Sequence, residues 1–290
     1  MATIKDIKDW APATRPPTRV FHGQAEVLRQ CRLAWNLDED YQLLAEGESD
    51  GESELSHPLH FRLEGPPGVG KNAVVYELAR KMKRPLYMMA GHEEMTPEDL
   101  SVLVVPAEGE GMRFKLSGSA LAKAIYEGAI FFFDEINRVP EKALSPLSSV
   151  LDERRNLVSA MTAIEVSGKN SEARRMFRFC CAMNPALGGS GKLLPDYLED
   201  RLLPVIKVPP PSVEDLQKIL RKTLGCDQAW LDALAKTVEG KKDLSVRQAL
   251  SLMTYAMREW SPGIDKRGVL AKVLEIFLRT PQRLSSAEAS

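Results

Sequence analysis

Residues 65 to 72 have the types and the spacing of a loop that binds nucleotide phosphates. The string Gly65-Pro-Pro-Gly-Val-Gly-Lys71 fits the pattern G-x-x-x-x-G-K, between a strand-like run and a helical pattern. Its glycines allow backbone N–H groups to turn inward around phosphate oxygens, and the N-terminus of the next helix adds a favourable dipole. Lys71 would bind the β- and γ-phosphates. We therefore expect a nucleoside triphosphate, favouring ATP, to be bound by Gly65, Pro66, Pro67, Gly68, Val69, Gly70, Lys71 and Asn72.

Asn72 departs from this pattern, because the position after the lysine ordinarily carries a serine or threonine whose hydroxyl binds Mg²⁺. An amide oxygen is also a Mg²⁺ ligand, although its reach differs from that of a hydroxyl. Either Asn72 serves as the metal ligand, or metal binding and hydrolysis are weakened.

Two carboxylates end an apolar run at Phe131-Phe-Phe-Asp-Glu135. Ligands in doubly wound sheets lie at the carboxyl ends of the strands. We expect Asp134 to hold Mg²⁺ through water and Glu135 to polarise the attacking water. The alternative is an ordinary strand end that is capped by acidic residues.

The elements that must position these residues alternate between strands and helices, which predicts a parallel sheet with helices on both faces. Strands are predicted at Leu59–Leu63, Leu86–Met89, Ala129–Phe133, Phe177–Met183 and Leu203–Val208. Helices are predicted at Gln24–Trp35, Asn72–Lys83 and Lys142–Leu151, and then at Val213–Leu220, Ala229–Val238, Val246–Glu259 and Val269–Leu278.

Stretches rich in proline or in charged residues predict the domain organisation of the chain. Residues 1–20 are rich in proline and basic residues and are expected to form an N-terminal arm. Residues 21–208 form the α/β domain, in which the acidic stretch 38–57 is an exposed loop. The triple proline at 209–211 is a stiff break, so residues 209–290 are expected to form a separate helical domain.

Composition excludes several classes of protein. The 290 residues carry a formal net charge of −1, so bulk charge provides no attraction to nucleic acid or to an anionic membrane. The longest apolar run, Ala129–Phe133, is too short to cross a bilayer. The four cysteines form no C-x-x-C pair and are expected to be reduced thiols. His92-Glu93-Glu94 lacks a second histidine at a useful spacing for a metal site. Together these features favour a cytoplasmic protein.

Three segments together resemble the AAA+ ATPases: Gly65–Lys71, Phe133–Arg138 and Met183-Asn-Pro185. The run from Phe133 to Arg155, which contains DEINRVPEKALSPLSSVLDERR, resembles the MoxR branch with its CbbQ- and NorQ-type proteins. The resemblance spans roughly residues 21–260. It implies a parallel-sheet P-loop AAA+ core with inserted β-hairpins, followed by a small all-α lid domain. Val20-Phe-His-Gly-Gln24 resembles the adenine-side segment of the family, which favours ATP.

The resemblance also implies roles for three further residues. Asn184 matches the first sensor, which contacts the attacking water or the γ-phosphate, although an asparagine before Pro185 is also an ordinary turn residue. Arg201 matches the arginine finger supplied to a neighbouring subunit; the alternative is a surface ion pair with Glu199 or Asp200. Arg247 matches the second sensor, but Val246 stands where the family more often has proline. The rival candidates for interface contacts are Arg138, Arg154 and Arg155.

Two inserted hairpins are implied at Leu103–Lys115, around Glu108-Gly-Glu-Gly111, and at Asn156–Val166. The family implies a ring, usually hexameric, that remodels a partner protein with a von Willebrand factor A domain. A chaperone-like ATPase is therefore the main functional hypothesis. A nucleotide-gated scaffold with weak hydrolysis is the alternative that Asn72 raises. A DNA-acting motor is opposed by the near-zero net charge and by the lack of a dense basic stripe.

Overall fold

Two compact units divide the chain in a computed structural model, which describes residues 3–17, 21–44, 58–107, 114–184, 193–238 and 244–278. The first unit comprises Met1–Pro17, Ala25–Glu64 and Lys71–Lys207. The second unit comprises Thr18–Gln24, Gly65–Gly70 and Val208–Ser290. The phosphate-loop residues before Lys71 are thus grouped with the C-terminal helices, and Lys71 begins a segment of the first unit.

The described residues form ten strands and eleven α-helices. The strands are β1 (Ile7–Trp10), β2 (Phe61–Glu64), β3 (Leu86–Ala90), β4 (Val102–Pro106), β5 (Phe114–Gly118), β6 (Ile130–Asp134), β7 (Leu157–Val158), β8 (Glu165–Val166), β9 (Arg178–Met183) and β10 (Val205–Lys207). The helices are α1 (Ala25–Ala34), α2 (Lys71–Met82), α3 (Ala120–Glu127), α4 (Glu141–Leu144), α5 (Leu147–Val150), α6 (Ser171–Met176), α7 (Asp196–Glu199), α8 (Val213–Leu224), α9 (Gln228–Val238), α10 (Val246–Glu259) and α11 (Lys266–Leu278).

The central sheet of the first unit has the strand order β10-β2-β9-β6-β3, and every neighbouring pair is parallel. β6 and β9 lie inside this sheet, which explains why both are nearly continuous apolar runs. Helix α2 buries its apolar side chains at helical spacing, among them Val74, Val75 and Leu78. The predicted α/β fold with a parallel sheet is confirmed.

A second sheet of the first unit has the order β1-β5-β4. β4 and β5 pair antiparallel, as the first predicted hairpin requires, while its Glu108–Gly111 segment lies outside the described residues. β7 and β8 form the second predicted hairpin. The N-terminal segment differs from the expected arm, because β1 pairs in parallel with β5. Trp10 at the end of β1 lies against Gly118 and stacks on Tyr126, which anchors this strand.

The prediction of a single helix over Lys142–Leu151 is wrong. Residues 142–151 form the two short helices α4 and α5, which are separated at Ser145 and Pro146. Pro146 has no N–H to donate within a helix, so the chain breaks there. The acidic stretch 38–57 is described only as far as residue 44, and the rest of it lies outside the described residues.

Four helices, α8 to α11, pack around a core of their own in the second unit. The Ser212 hydroxyl accepts from the Asp215 N–H at the start of α8, and Gly225 ends that helix in the left-handed region at φ 68°. Ser245 and Gln248 form a capping box at the start of α10. Among the described residues, no helix has the length and apolar character needed to cross a bilayer.

The four cysteines are free thiols and all are buried. Cys31 belongs to α1, Cys180 and Cys181 belong to β9, and Cys226 lies between α8 and α9. The expectation of reduced thiols agrees with these positions.

Candidate functional site

The carboxyl end of β6 positions the two predicted carboxylates. Asp134 is the last residue of the strand, and its Oδ1 accepts the backbone N–H of Glu135 at 3.0 Å. Glu135 adopts the left-handed conformation at φ 52°, which ends the strand and starts a 3-10 turn over Ile136–Arg138. The two carboxylates have different partners, because Asp134 accepts the Glu135 N–H while Glu135 accepts from Arg138.

Asn72, the second residue of α2, contacts Asp134 directly. Its Nδ2 donates to Asp134 Oδ2 at 2.7 Å. The contact joins the start of α2 to the end of β6, which are the two elements predicted to supply the metal ligands. Tyr76 lies nearby on the next turn of α2, where burial, followed by the charge of Asp134, raises the pKa of its phenol. The structure therefore brings Asn72 and Asp134 together as the sequence predicts.

Lys71 and Asn184 form the second predicted pair. Lys71 is only 7% exposed, and its Nζ donates to Asn184 Oδ1 at 2.8 Å. Asn184 follows the last residue of β9, the strand next to β6. Asn137 Nδ2 reaches the backbone carbonyl of Asn184 at 3.5 Å and thereby ties it to the turn after Glu135. Lys71, Asn72, Asp134 and Asn184 thus lie at one edge of the sheet.

The carboxylate of Glu135 is held by Arg138. Arg138 Nη1 donates to Glu135 Oε2 at 2.9 Å, and the two side chains are 47% and 38% exposed. This hydrogen bond and the charge of Glu135 raise the pKa of Arg138, with a smaller contribution from Glu93. From the sequence alone, Arg138 is a candidate only for interface contacts. In the structure it is the direct partner of the predicted catalytic carboxylate.

Gly91 is a site residue that the sequence interpretation missed. It follows β3, and its N–H donates to the carbonyl of Asp134 at 2.8 Å. A Cβ added there would lie 2.4 Å from the carbonyl oxygen of Glu135, which is a severe overlap. A glycine directly after the strand next to β6 is the signal that could have identified this position. Asn137 was missed as well, although it lies in the DEINR run.

In the second unit, the phosphate loop packs closely on the backbone of Val208 and on the side chain of Ser245. A Cβ on Gly65 would lie 2.3 Å from the carbonyl oxygen of Val208, and one on Gly68 would lie 2.9 Å from Ser245 Oγ. Gly68 and Gly70 have φ angles of 81° and 106°, which glycine adopts without strain. The same Cβ on Gly68 would lie 3.4 Å from the Cβ of Arg247. Arg247, the predicted second sensor, therefore lies in the first turn of α10, next to the phosphate loop.

Arg201 lies on an exposed turn after α7. Its Nη1 donates to the backbone carbonyl of Tyr197 at 2.6 Å. The ion pair considered as its alternative role is not formed with Glu199, which instead lies 3.8 Å from Arg62. The structure does not bring Arg201 into the hydrogen bonds that join Lys71, Asn72, Asp134 and Asn184.

The donor set at this edge of the sheet fits a magnesium ion better than a metal that requires many protein ligands. The part of the chain that the structure describes holds no group of three or more histidine, cysteine, aspartate or glutamate side chains that could bind a metal. Mg²⁺ is commonly held by one or two protein oxygens together with phosphate oxygens and water. Asp134 and the amide oxygen of Asn72 provide oxygens of this kind.

Comparisons with known proteins match this region. Residues 60–202 match the profile of the AAA domain (dynein-related subfamily). The denitrification regulatory protein NirQ of Pseudomonas aeruginosa is 25% identical over 217 residues, covering 73% of this chain and 80% of NirQ. Protein NorQ of Paracoccus denitrificans is 26% identical over 230 residues, covering 77% and 82% respectively.

A solved structure supports the fold. The RuvB Holliday junction branch migration motor of Thermotoga maritima superposes with a TM-score of 0.55 at 17% identity, over 90% of this chain and 72% of that one. At this identity the likeness extends to the fold alone. The matched profile region contains Gly65–Lys71, Asp134, Asn184 and Arg201.

Proposed function

Because the chain is a MoxR-type AAA+ ATPase, we propose that it is a remodelling enzyme, which couples ATP hydrolysis in a ring of subunits to work on a partner protein. The observation that carries the proposal is the convergence of Lys71, Asn72, Asp134 and Asn184 through two hydrogen bonds of 2.8 and 2.7 Å. A buried lysine beside an asparagine and an aspartate provides a charge for phosphate and polar groups for water.

Each residue has a distinct task in the proposed reaction. The backbone of Gly65–Gly70 and the ammonium group of Lys71 bind the phosphates. Asn184 orients the water that attacks the γ-phosphorus, and Glu135 accepts the proton which that water loses. The bond that breaks joins the γ-phosphorus to the bridging oxygen, so ADP and inorganic phosphate leave. Mg²⁺, held by Asp134 and Asn72, would neutralise charge on the β- and γ-phosphates.

The oligomeric part of the proposal rests on Arg201 and on the family. Arg201 is exposed, and among the described residues its guanidinium donates to a backbone carbonyl of its own turn, so its outer nitrogen atoms face solvent where a neighbouring subunit would bind. We propose a ring, hexameric as is usual in the family, in which Arg201 stabilises charge in the neighbour's transition state. Arg247, beside Gly68 at the start of α10, would act as the second sensor.

The partner that we propose is a protein with a von Willebrand factor A domain, and the work is chaperone-like remodelling of a metal enzyme or of an inhibited one. The support is the likeness to NirQ, which is named as a denitrification regulatory protein, and to NorQ. Recognition of such a partner would use surfaces that the ring presents when ATP is bound.

The decisive experiment replaces Glu135 by glutamine, which keeps the shape of the side chain but removes the proton acceptor. Glu135→Gln should bind ATP normally and lose turnover by roughly 100-fold or more. Substantial hydrolysis in this variant would show that Glu135 is not the base. The same variant, loaded with ATP, serves as a trap in a pull-down assay. Recovery of a von Willebrand factor A protein by this variant, and not by Lys71→Ala, is the expected result.

Asn72 supports a second candidate, a nucleotide-gated scaffold with little hydrolysis. Its amide nitrogen already binds Asp134, so the aspartate is engaged by a group that is not a hydroxyl. Asn72→Thr should leave nucleotide binding intact and raise Mg²⁺-dependent phosphate release. Unchanged or reduced turnover would show that Asn72 is itself a competent ligand. Rapid basal turnover in the unmodified chain, abolished by Glu135→Gln, would eliminate the scaffold hypothesis.

A further inference from the structure

The segment that carries Arg201 is joined to β2 on both sides of the arginine. Before the arginine, Glu199 Oε1 lies 3.8 Å from Arg62 Nη1. After it, the carbonyl of Pro204 accepts the backbone N–H of Arg62 at 3.3 Å, and β10 then pairs in parallel with β2. We call residues 199–207 the finger segment. One residue of β2, Arg62, thus holds the finger segment through both its side chain and its backbone.

The side chain of Arg62 is mostly buried, with 13% of its surface exposed. Its Nε donates to Glu64 Oε1 at 2.9 Å, and Glu64, the last residue of β2, is 11% exposed. The other carboxylate oxygen of Glu64 accepts from the Nζ of Lys207, at the end of the finger segment. Glu64 is therefore shared by two cations, one from β2 and one from β10.

The Nη1 atom of Arg62 is buried and has no hydrogen-bond partner among the described residues. A buried N–H group of a cation without an acceptor is unfavourable, because it has lost its hydration. Glu199, whose side chain is 40% exposed, lies within ion-pair distance of this nitrogen. With Glu199 included, the two cations meet two carboxylates. The attraction is screened less than that of a surface pair, because Arg62 is mostly buried.

Apolar contacts hold the turn around Arg201 against the core. Leu198 and Leu202 are fully buried, and the Leu202 N–H donates to the Leu198 carbonyl at 3.0 Å. The burial of apolar surface is non-directional, so the two leucines anchor the turn without specifying where the side chain between them points. The attraction between Arg62 and Glu199 acts between particular atoms, so it is suited to specify the orientation of the turn.

We propose that Arg62 is a positioning residue, which orients Arg201 for the nucleotide site of a neighbouring subunit. The inference rests on the proposed function, in which Arg201 acts across the subunit interface. A misplacement of about 1 Å in such a group can lower the rate by about 100-fold, so a dedicated restraint has a clear use. Gly65, the first residue of the phosphate loop, directly follows Glu64 in the sequence. The strand that leads into a subunit's own phosphate loop therefore also holds the arginine that serves the next site.

Single variants test whether the restraint matters. Arg62→Met keeps the length of the side chain and removes its charge, so kcat should fall by roughly tenfold while the Kd for ATP is unchanged. Glu199→Gln should lower kcat by roughly fivefold, and its partly exposed position makes it the deciding variant if Arg62→Met fails to fold. Asp196→Asn makes the same change of charge at an exposed residue of α7 and is the matched control.

Mixed rings show in which subunit Arg62 acts. In an equimolar mixture of Arg62→Met with Glu135→Gln, one half of the subunits have an intact Glu135, and one half of their neighbours present a correctly oriented Arg201. About a quarter of the activity of the unmodified chain should therefore be measured, well above either variant alone. A mixture of Arg62→Met with Arg201→Ala should be no more active than Arg62→Met alone, because no subunit presents a correctly oriented arginine.

The reverse pattern would overturn the proposal. Recovery with Arg201→Ala but not with Glu135→Gln would mean that Arg62 acts on the nucleotide of its own subunit. A normal kcat in both Arg62→Met and Glu199→Gln would overturn it as well. The reference mixture of Arg201→Ala with Glu135→Gln separates this proposal from the proposed function. Recovery in that mixture alone refutes the role of Arg62, whereas no recovery there refutes the action of Arg201 across the interface and this proposal with it.

Discussion

Glu135 combines a strained backbone with a restrained carboxylate. A residue with a side chain is held in the left-handed region at a cost of about 1 kcal/mol, and such strain persists where the surrounding contacts require it. The required contacts are visible, because Asp134 accepts the Glu135 N–H and Gly91 packs against the Glu135 carbonyl. The backbone contacts therefore fix the position of the Glu135 Cα, and Arg138 fixes the position of the Glu135 carboxylate.

Arg138→Gln should raise the basal turnover. The guanidinium occupies Glu135 Oε2, which a water molecule must reach before it can transfer a proton. Exposed ion pairs contribute about 0.2–1 kcal/mol, so we expect kcat to rise by at most roughly fivefold, with the KM for ATP little changed. Steady-state phosphate release measures both. Arg29→Gln breaks a comparable exposed pair with Glu26 on α1 and is the control. A fall in kcat would mean that Arg138 positions Glu135 productively.

His60 should make the protein sensitive to mild acid. Burial, followed by the charges of Arg155 and Arg178, lowers its pKa to about 3 in the folded chain, against about 6.5 when the chain unfolds. Between these values the unfolded chain binds more protons, so stability decreases as the pH falls below 6.5. From pH 7 to pH 5 this one group should remove about 2 kcal/mol of the free energy of unfolding.

Urea denaturation at the two pH values, in phosphate-free buffer, measures this effect. His60→Phe, which keeps a ring against Phe179, should lose less stability between pH 7 and pH 5 than the unmodified chain. His92→Phe, which makes the same replacement at an exposed histidine, is the matched control. Equal pH dependence in the unmodified chain and in His60→Phe would contradict the assignment to His60.

At the scale of elements, glycines set how closely the site segments approach. Gly91 allows the end of β3 to lie against the turn after β6, and no left-handed angle is involved there. Gly91→Ala would place a methyl group 2.4 Å from the carbonyl oxygen of Glu135 and 2.7 Å from Val139. We expect a destabilisation of about 1–3 kcal/mol and a drop in kcat of at least roughly tenfold, because Glu135 is displaced.

The matched control is Gly268→Ala in α11, where the nearest atom would be 3.5 Å from the new methyl group. Replacing a glycine inside a helix by alanine should stabilise the chain by up to about 1 kcal/mol. Thermal unfolding and steady-state kinetics of both variants provide the comparison. If Gly91→Ala retains full turnover, the close packing at β3 does not position Glu135.

Local sequence signals were sufficient for some elements and insufficient for others. The continuous apolar runs of β6 and β9, and the spacing of Val74, Val75 and Leu78 in α2, identify their elements because burial imposes those patterns. The pairing of β1 with β5 joins segments about a hundred residues apart, which no local pattern reveals. The bond between Arg138 and Glu135 depended on the left-handed turn at Glu135, and an acidic residue does not itself predict that conformation.

At the scale of the whole molecule, the proposed ring makes a prediction about mixed subunits. Arg201→Ala and Glu135→Gln should each be nearly inactive alone, for different reasons. If Arg201 acts across the interface, an equimolar mixture forms some sites with an intact Glu135 from one subunit and an intact Arg201 from its neighbour. In random assembly, one half of the subunits have an intact Glu135, and one half of their neighbours have an intact Arg201. About a quarter of the sites are therefore complete, so about a quarter of the activity should return.

Phosphate release by the mixture, compared with each variant alone, measures this complementation. Sedimentation must show that both variants assemble to the same size as the unmodified chain. A mixture no more active than its components, with assembly intact, would place Arg201 in its own subunit's site or outside catalysis altogether.

Because all four cysteines are buried, the protein surface presents no native thiol to a thiol-modifying reagent. Burial raises the pKa of all four thiols, so the reactive thiolate is scarce at neutral pH and reagents have little access to it. A cysteine introduced at an exposed position such as Arg258 would then be the one that a maleimide dye labels. Donor- and acceptor-labelled subunits could report ring assembly by energy transfer without removal of any native cysteine.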